Sequence, residues 1–275
     1  MNSSLPPHSS GSTASTNSSS HDDTPQISRI GESRWEAVAG DRVVGSGDTS
    51  RRPDGRLFLS VDAWQTDVFD QLAAAMLADV GEPLHTVVDE TDAELRACWQ
   101  RAGFAVGRRE WEFVLPTDPQ VTGLDPARLP AGVTLVPAGQ AEEGPLRALD
   151  RELRDEIGAT VGWQAMPAEV LPLPPGVTVA DPARYAVAVR DGAYVGLVRV
   201  ALVTRRPRIG LLAVRAEHRG QGIGRALLAH ALDTLHRAGT DSAWAEVQEP
   251  NTAALALVER AGARRVGGNL ELVRR

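Results

Sequence analysis

The chain has 275 residues, 42% hydrophobic and 24% charged, a balance that excludes disordered, collagen-like and coiled-coil proteins and leaves room for two domains of ordinary size. The formal charge is −7, all 29 basic residues are arginine, and Cys98 is the one cysteine. Lysine Schiff-base chemistry, a P-loop lysine, an internal disulfide and a multi-cysteine zinc site are therefore excluded, and no metal is expected.

An acidic balance without an arginine-rich run disfavours nucleic acid and mildly favours cationic partners. No stretch reaches the ~20 apolar residues of a membrane-spanning helix, and the opening residues lack the basic and apolar regions of a signal peptide. A cytoplasmic protein with no membrane partner is expected.

In chain order, residues 1–26 are dominated by Ser, Thr, Asn and Pro, too polar to offset their ordering entropy, and read as a floppy tail. The next 90 residues, 27–116, resemble the far end of the chain. Val88, Glu90, Arg101, Gly103, Glu112 and Val114 recur 159 residues on as Val247, Glu249, Arg260, Gly262, Glu271 and Val273. Each copy reads as a strand (His85 to Val88; Trp244 to Val247), an amphipathic helix ending at Ala-Gly, and a final strand (Trp111 to Leu115; Leu270 to Val273). The pattern is an internal duplication, with 117–131 as linker and 132–275 as the second copy. From Val61 to Val88 is 27 residues but from Val214 to Val247 is 33, so six are missing from the first copy where the second carries its glycines. The first copy also reads as lacking an opening strand and helix.

The second copy opens with a strand near Gly132 to Pro137 and a helix from Glu143 to Ile157 whose apolar side is Leu146, Leu149 and Leu153. Strands follow at Tyr185 to Val189, Tyr194 to Leu202 and Ile209 to Val214, then a helix from Gly222 to about Arg237. Strands joined first by turns and then by helical crossovers predict an α/β (α+β) fold: two tandem domains, each a mixed, mostly antiparallel, twisted sheet flanked by helices.

Between Val214 and that helix lies Arg219-Gly220-Gln221-Gly222-Ile223-Gly224. Glycines at a helix mouth let backbone N–H groups approach an anion, and the helix adds roughly half a positive charge, so a phosphate or pyrophosphate fits there; so does a plain glycine turn. A dinucleotide fold is disfavoured, because the loop follows antiparallel strands late in the domain.

Leu212-Ala213-Val214, this loop continuing through Arg225-Ala226-Leu227-Leu228, and later Asn251 with Ala254, Leu257 and Gly262 resemble the GNAT superfamily of acyl-CoA-dependent N-acetyltransferases. The resemblance covers 132–275 and extends weakly over 27–116, a tandem arrangement. It implies that backbone N–H groups from Gln221 to Arg225 hold the pyrophosphate of acetyl-CoA, with Arg219 opening the loop. It further implies that Leu212, Ala213 and Val214 pair with the pantetheine and that the Val214 N–H polarises the thioester carbonyl. Asn251 would touch the pantetheine arm, or cap a helix, or both.

The family's usual tyrosine acid falls at Val258, and Tyr185 and Tyr194 sit on earlier strands. Glu246 is the candidate base, facing either the cleft or solvent. Glu152, Asp155 and Glu156 either bind a cationic amine or form a solvated helix face, and Trp163 either walls the acceptor site or packs in the core. His218 reads either as an exposed turn histidine or as a group acting near neutral pH, and Cys98 as a buried hydrophobe rather than a nucleophile. At the loop position the first copy has Thr66-Asp67-Val68-Phe69, and Asp92 stands where the second has Asn251; carboxylates there predict a degenerate copy that binds no coenzyme A.

The expectation is one working site that transfers acetyl directly to a primary amine of a small, cationic acceptor, in a monomer acting as a pseudo-dimer or in a homodimer. The alternative is a catalytically silent acyl-CoA-binding or sensor module.

Overall fold

The computed structural model describes residues 24–52, 55–81, 83–160, 181–203 and 206–275. In the first half, strands β1 (Gln26–Arg29), β2 (Arg34–Ala39), β3 (Arg42–Arg51) and β4 (Leu57–Ala63) precede helix α1 (Thr66–Asp79). Strand β5 (Leu84–Asp89), helix α2 (Ala93–Arg101) and strand β6 (Ala105–Pro116) follow. A short helix, α3 (Pro119–Thr122), leads into the second half. There β7 (Val133–Val136), α4 (Glu143–Thr160), β8 (Tyr185–Arg190), β9 (Ala193–Val203), β10 (Arg206–Val214), α5 (Ile223–Arg237), β11 (Ser242–Gln248), α6 (Thr252–Arg260) and β12 (Arg264–Arg274) succeed one another.

The two copies have matching strand sequences, and the first does contain an opening strand, contrary to the sequence reading. Among the described residues, it lacks only a helix equivalent to α4. β1 escaped notice because it is four residues long, Gln-Ile-Ser-Arg, and mostly exposed, so it carries no alternation.

Among the described residues, twelve strands form one sheet in the order β1-β2-β3-β4-β5-β12-β6-β11-β10-β9-β8-β7. Of its pairings, those of β4 with β5 and of β10 with β11 are parallel and the others antiparallel. The order contains an exchange. β6, from the first half, pairs with β11, while β12, from the second, pairs with β5, and the two exchanged strands pair with each other at the centre. Each half therefore completes its sheet with the other's last strand. The fold has the expected class, but nothing in the sequence indicates that its two sheets are joined.

The faces divide cleanly. Leu270 and Leu272 of β12 pack with Leu72, Met76 and Trp99 of α1 and α2, while Phe113 and Leu115 of β6 pack with Leu227, Leu232 and Val258 of α5 and α6. These four helices cover one face. On the other, Leu146, Leu149 and Leu153 of α4 pack against Tyr185, Val187 and Leu197. The intervening residues of the central strands turn toward this second face, among them Arg108, Glu110, Glu112, Glu246 and Glu271.

In the first half that face is closed by a buried ion cluster. The Glu271 carboxylate lies 2.8 Å from Arg56, 2.7 Å from Arg108 and 2.9 Å from His85 Nδ1, at 3% side-chain exposure. Burial would raise its pKa, but the hydrogen bond to His85 and the charges of Arg108 and Arg56 outweigh burial and hold it below the ordinary value.

Removing the charge takes the buried Glu271 carboxylate away from the Arg56 and Arg108 guanidinium groups, so Glu271→Gln is expected to destabilise the protein by about 3 kcal/mol in urea unfolding at neutral pH. A depressed folded pKa makes the carboxylate's contribution fully present above the unfolded value of 4.5 and lost as pH falls through the folded value. The wild type should accordingly lose its advantage over Glu271→Gln as unfolding is measured at successively lower pH below 4.5.

Candidate active site

Strands β10 and β11 pair only at Arg208↔Trp244 and Ile209↔Ala245; beyond that point they part. The register of β10 against β9 slips between Ile209 and Leu211, a bulge at Gly210 at the crotch of the fork. Past the bulge the hydrogen-bond directions are fixed. The Arg215 N–H donates to Val195 O on β9 at 3.0 Å, so by alternation Ala213 and Leu211 also face β9, while the N–H groups of Leu212 and Val214 face the open gap. The carbonyl of Val214, on the same side, accepts from Arg219 Nε at 2.9 Å.

At the end of β10 the chain makes a turn and enters α5 through the glycine loop. Gly220 and Gly222 have φ of 73° and 84°, the left-handed region that L side chains rarely adopt, so these two positions need glycine. A Cβ on Gly220 would meet nothing within 4 Å, whereas one on Gly224 would lie 3.4 Å from Leu212 Cδ2; the loop is open outward and α5 is packed close inward. The first helical bond is Ala226 N–H to Gly222 O at 3.0 Å. Among the described residues, the N–H groups from Gly220 to Arg225 have no backbone acceptor, and they lie at the positive end of a fifteen-residue helix. The loop is anchored at its flanks: Gln221 is hydrogen-bonded to Arg190, and its Nε2 donates to Glu217 O at 3.1 Å. Beside it a groove of about 250 Å³ is lined by Asp125, Arg128, Leu129, Pro130, Gln221 and Arg225, among others.

A coenzyme pyrophosphate suits this cradle, with open donors and a helix N-terminus behind. The first half differs. There β4 runs to α1 with only Trp64 and Gln65 between, and Asp67 occupies the first helical turn.

The acidic residues of α4 are engaged. Glu156 accepts the Ala216 N–H at 3.1 Å and Arg219 Nη2 at 2.6 Å, and Glu152 pairs with Arg215 at 2.5 Å. They strap α4 to the strand end that enters the loop. Asp155 is exposed. Trp163 lies outside the described residues.

Glu246 sits one residue beyond the last β10–β11 pair, at the fork. Its neighbours Ala245 and Val247 are buried under the four-helix face, so Glu246 points to the other one, where Arg208 lies 3.0 Å away. Asn251 is the N-cap of α6, its Oδ1 accepting the Ala254 N–H at 3.1 Å, and Asp92 caps α2 in the same manner.

Val258 is buried on α6. Tyr185 is buried, and desolvation, reinforced by Asp150, pushes its pKa up. The Tyr194 oxygen accepts the Glu142 N–H at the start of α4. His218 contacts Glu217, and Cys98 is buried and unbridged. Among the described residues no His, Cys, Asp and Glu cluster is arranged to hold a metal, and no helix is long and apolar enough to cross a membrane.

The sequence reading missed Glu112. It lies on β6 directly opposite Glu246, with Gly267 of β12 on its other side. The duplication marks Glu112 as a repeated position, but only the strand exchange carries it to the fork.

Comparison with known proteins agrees with this geometry. Residues 151–263 match the profile of the acetyltransferase (GNAT) family. The [Ribosomal protein bS18]-alanine N-acetyltransferase of Escherichia coli K12 is 45% identical over 51 residues, 18% of this chain and 34% of that protein, so the match spans about a third of that relative's length. A GCN5-related N-acetyltransferase from Sphaerobacter thermophilus superposes with a TM-score of 0.63 at 17% identity, covering 90% of this chain and 81% of its own. A tandem GNAT protein from the clavulanic acid biosynthesis pathway gives 0.61 at 18% identity, covering 91% and 83%. At such identities the superpositions establish the fold. Residues 151–263 thus resemble the GNAT acetyltransferase family, inside an overall fold shared with solved GNAT structures.

Proposed function

We propose that the chain is an acetyl-CoA-dependent N-acetyltransferase with one working site, in the C-terminal half, that acylates a primary amine directly. The observation that carries this reading is the row of open backbone amides from Gly220 to Arg225 beside a forked β10–β11 pair. The thioester supplies an activated acetyl group. The amides of Gln221 to Arg225 hold the diphosphate, and Arg219, braced by Glu156 and the Val214 carbonyl, fixes the loop's entry. Leu212 and Val214 present N–H groups to the pantetheine gap. The Val214 N–H is the donor for the thioester carbonyl, and such a donor is worth about 3 kcal/mol where one has been removed. Asn251, whose oxygen caps α6, contacts the pantetheine arm through its side-chain nitrogen.

Glu246 takes a proton from the incoming amine at the fork. Arg208, 3.0 Å away, aims the carboxylate. With both tyrosines engaged elsewhere and Val258 buried, the sulfur leaves as thiolate, which a thiol pKa near ~8.5 makes a tolerable leaving group. The first half, with Asp67 where the loop belongs, binds no coenzyme A and serves as a scaffold.

The acidic overall charge favours a small cationic acceptor, with Asp155 on the segment that borders it; Glu152 and Glu156 shape this wall through their arginine pairs. The partial relative that acetylates a ribosomal protein alanine makes a peptide N-terminus the other acceptor to assay. A silent acyl-CoA-binding module is the second reading, and the missing tyrosine acid is the observation that favours it. Thiol release with any amine in a panel of polyamines, amino acids and alanine-initiated peptides selects the enzyme; binding without release selects the module.

Three outcomes are expected. Gly222→Asp puts a side chain at a positive φ and a negative charge against the diphosphate, and should abolish acetyl-CoA binding in calorimetry; retained affinity would remove the loop from the site. Glu246→Gln should lower kcat by about 10²-fold or more while coenzyme affinity holds, and undiminished turnover would exclude it as the base. In a pH series, kcat/KM should climb to a plateau without the falling limb that a tyrosine acid with a pKa of about 10 would impose.

A further inference from the structure

Glu112 and Glu271 occupy the same position of the duplicated unit, and the strand pairings preserve the relation. Glu112 lies between Glu246 of β11 and Gly267 of β12; Glu271 lies between Val87 of β5 and Arg108 of β6. Subtracting the repeat offset turns Glu246 into Val87 and Gly267 into Arg108. The two environments are therefore one scaffold with two fillings.

In the first half the carboxylate is met by cations from its own chain, Arg108 at 2.7 Å and Arg56 at 2.8 Å. In the second half the arginine position is a glycine. Glu112 Oε1 accepts the Asn269 side-chain amide at 2.8 Å, and a Cβ on Gly267 would stand 3.2 Å from Oε2. Among the described residues no arginine or histidine forms an ion pair with Glu112. Half-buried, it faces Glu246 across about 5 Å at the Cβ atoms, the spacing of directly opposed residues in antiparallel strands. Two like charges so placed repel each other unless a cation joins them; Arg208 serves Glu246, and no described residue serves Glu112 in that way.

Building on the acetyltransferase reading, we propose that Glu112, lent by the N-terminal half, is an acceptor-binding residue of the C-terminal site, its Oε2 receiving the primary ammonium group of the acceptor. The ammonium takes the place that the Arg108 guanidinium fills against Glu271. It then gives one proton to Glu246, the freed nitrogen lone pair forms the bond to the acetyl carbon, and as the carbon–sulfur bond breaks the sulfur leaves as thiolate and takes up the second proton that the new amide nitrogen sheds. Gly267 keeps the place open. Asn269 orients the carboxylate by holding Oε1. The N-terminal half is thus a contributor to the site as well as its support.

Restoring the missing arginine tests this in the full chain. Gly267→Arg is expected to raise the thermal unfolding midpoint above that of Gly267→Gln by about 2 °C, and the rise should vanish in a Glu112→Gln background. This measurement involves no acetyl donor, so it stands apart from the acetyltransferase reading, which acetyl-CoA calorimetry on the wild type tests separately. Acetyl-CoA affinity should be the same in Gly267→Arg as in the wild type.

In calorimetry with 1,4-diaminobutane as the probe, Glu112→Gln should weaken binding by about tenfold or more, Gly267→Arg should abolish it, and Glu112→Asp, which keeps the charge, should retain most of it. A Gly267→Arg effect on the midpoint that persists unchanged in the Glu112→Gln background would overturn the proposal. So would a wild type that binds no 1,4-diaminobutane, or a Glu112→Gln variant that binds it undiminished.

Discussion

A strand at the rim of a sheet must find a hydrogen-bonding partner or be shielded, and this protein meets that requirement at its centre by exchanging strands. β6 and β12 are long, 12 and 11 residues, and each is paired along both sides. The exchange sets the geometry of everything near it: it buries Glu271 among arginines, carries Glu112 to the fork, and makes the central face of the sheet common property of both halves.

Around that frame the working features are backbone features. A bulge at Gly210 parts two strands, alternation turns the Leu212 and Val214 amides into the opening, and two glycines at positive φ expose the amides that begin α5. Side chains enter as braces. Glu152 and Glu156 hold α4 to the end of β10 and to the start of the loop through Arg215 and Arg219. For a chain without lysine this is apt, since a guanidinium can grip a carbonyl and a carboxylate at once, as Arg219 does, where an ammonium is a point charge.

The sequence disclosed local order well. Helix stripes such as Leu146, Leu149 and Leu153, the glycine signature and the duplication are all periodic or spaced signals, the first two resting on near neighbours in the chain and the third on a fixed offset. Partnership between distant segments was illegible. Nothing in Trp111 to Leu115 says that the strand will lie beside Trp244 to Val247, because alternation fixes which face a residue takes and leaves its lateral neighbour open. For the same reason Glu152 and Glu156 read as free acids, their arginine partners being some 60 residues away in the chain. Asp92 and Asn251 illustrate a subtler limit. Read against each other they suggest a lost contact, yet both are helix caps, a task either residue type performs.

The pairing of β6 with β12 has the geometry of a two-fold axis running through a single polypeptide, the arrangement obtained when identical subunits that trade terminal strands become joined by a tether such as 117–131. Symmetric partners must mutate together, because every change appears twice. Joined copies are released from that bond. Arginine at 108 and glycine at 267 show the release: one copy fills the place beside its carboxylate with a cation, and its twin leaves that place without a side chain.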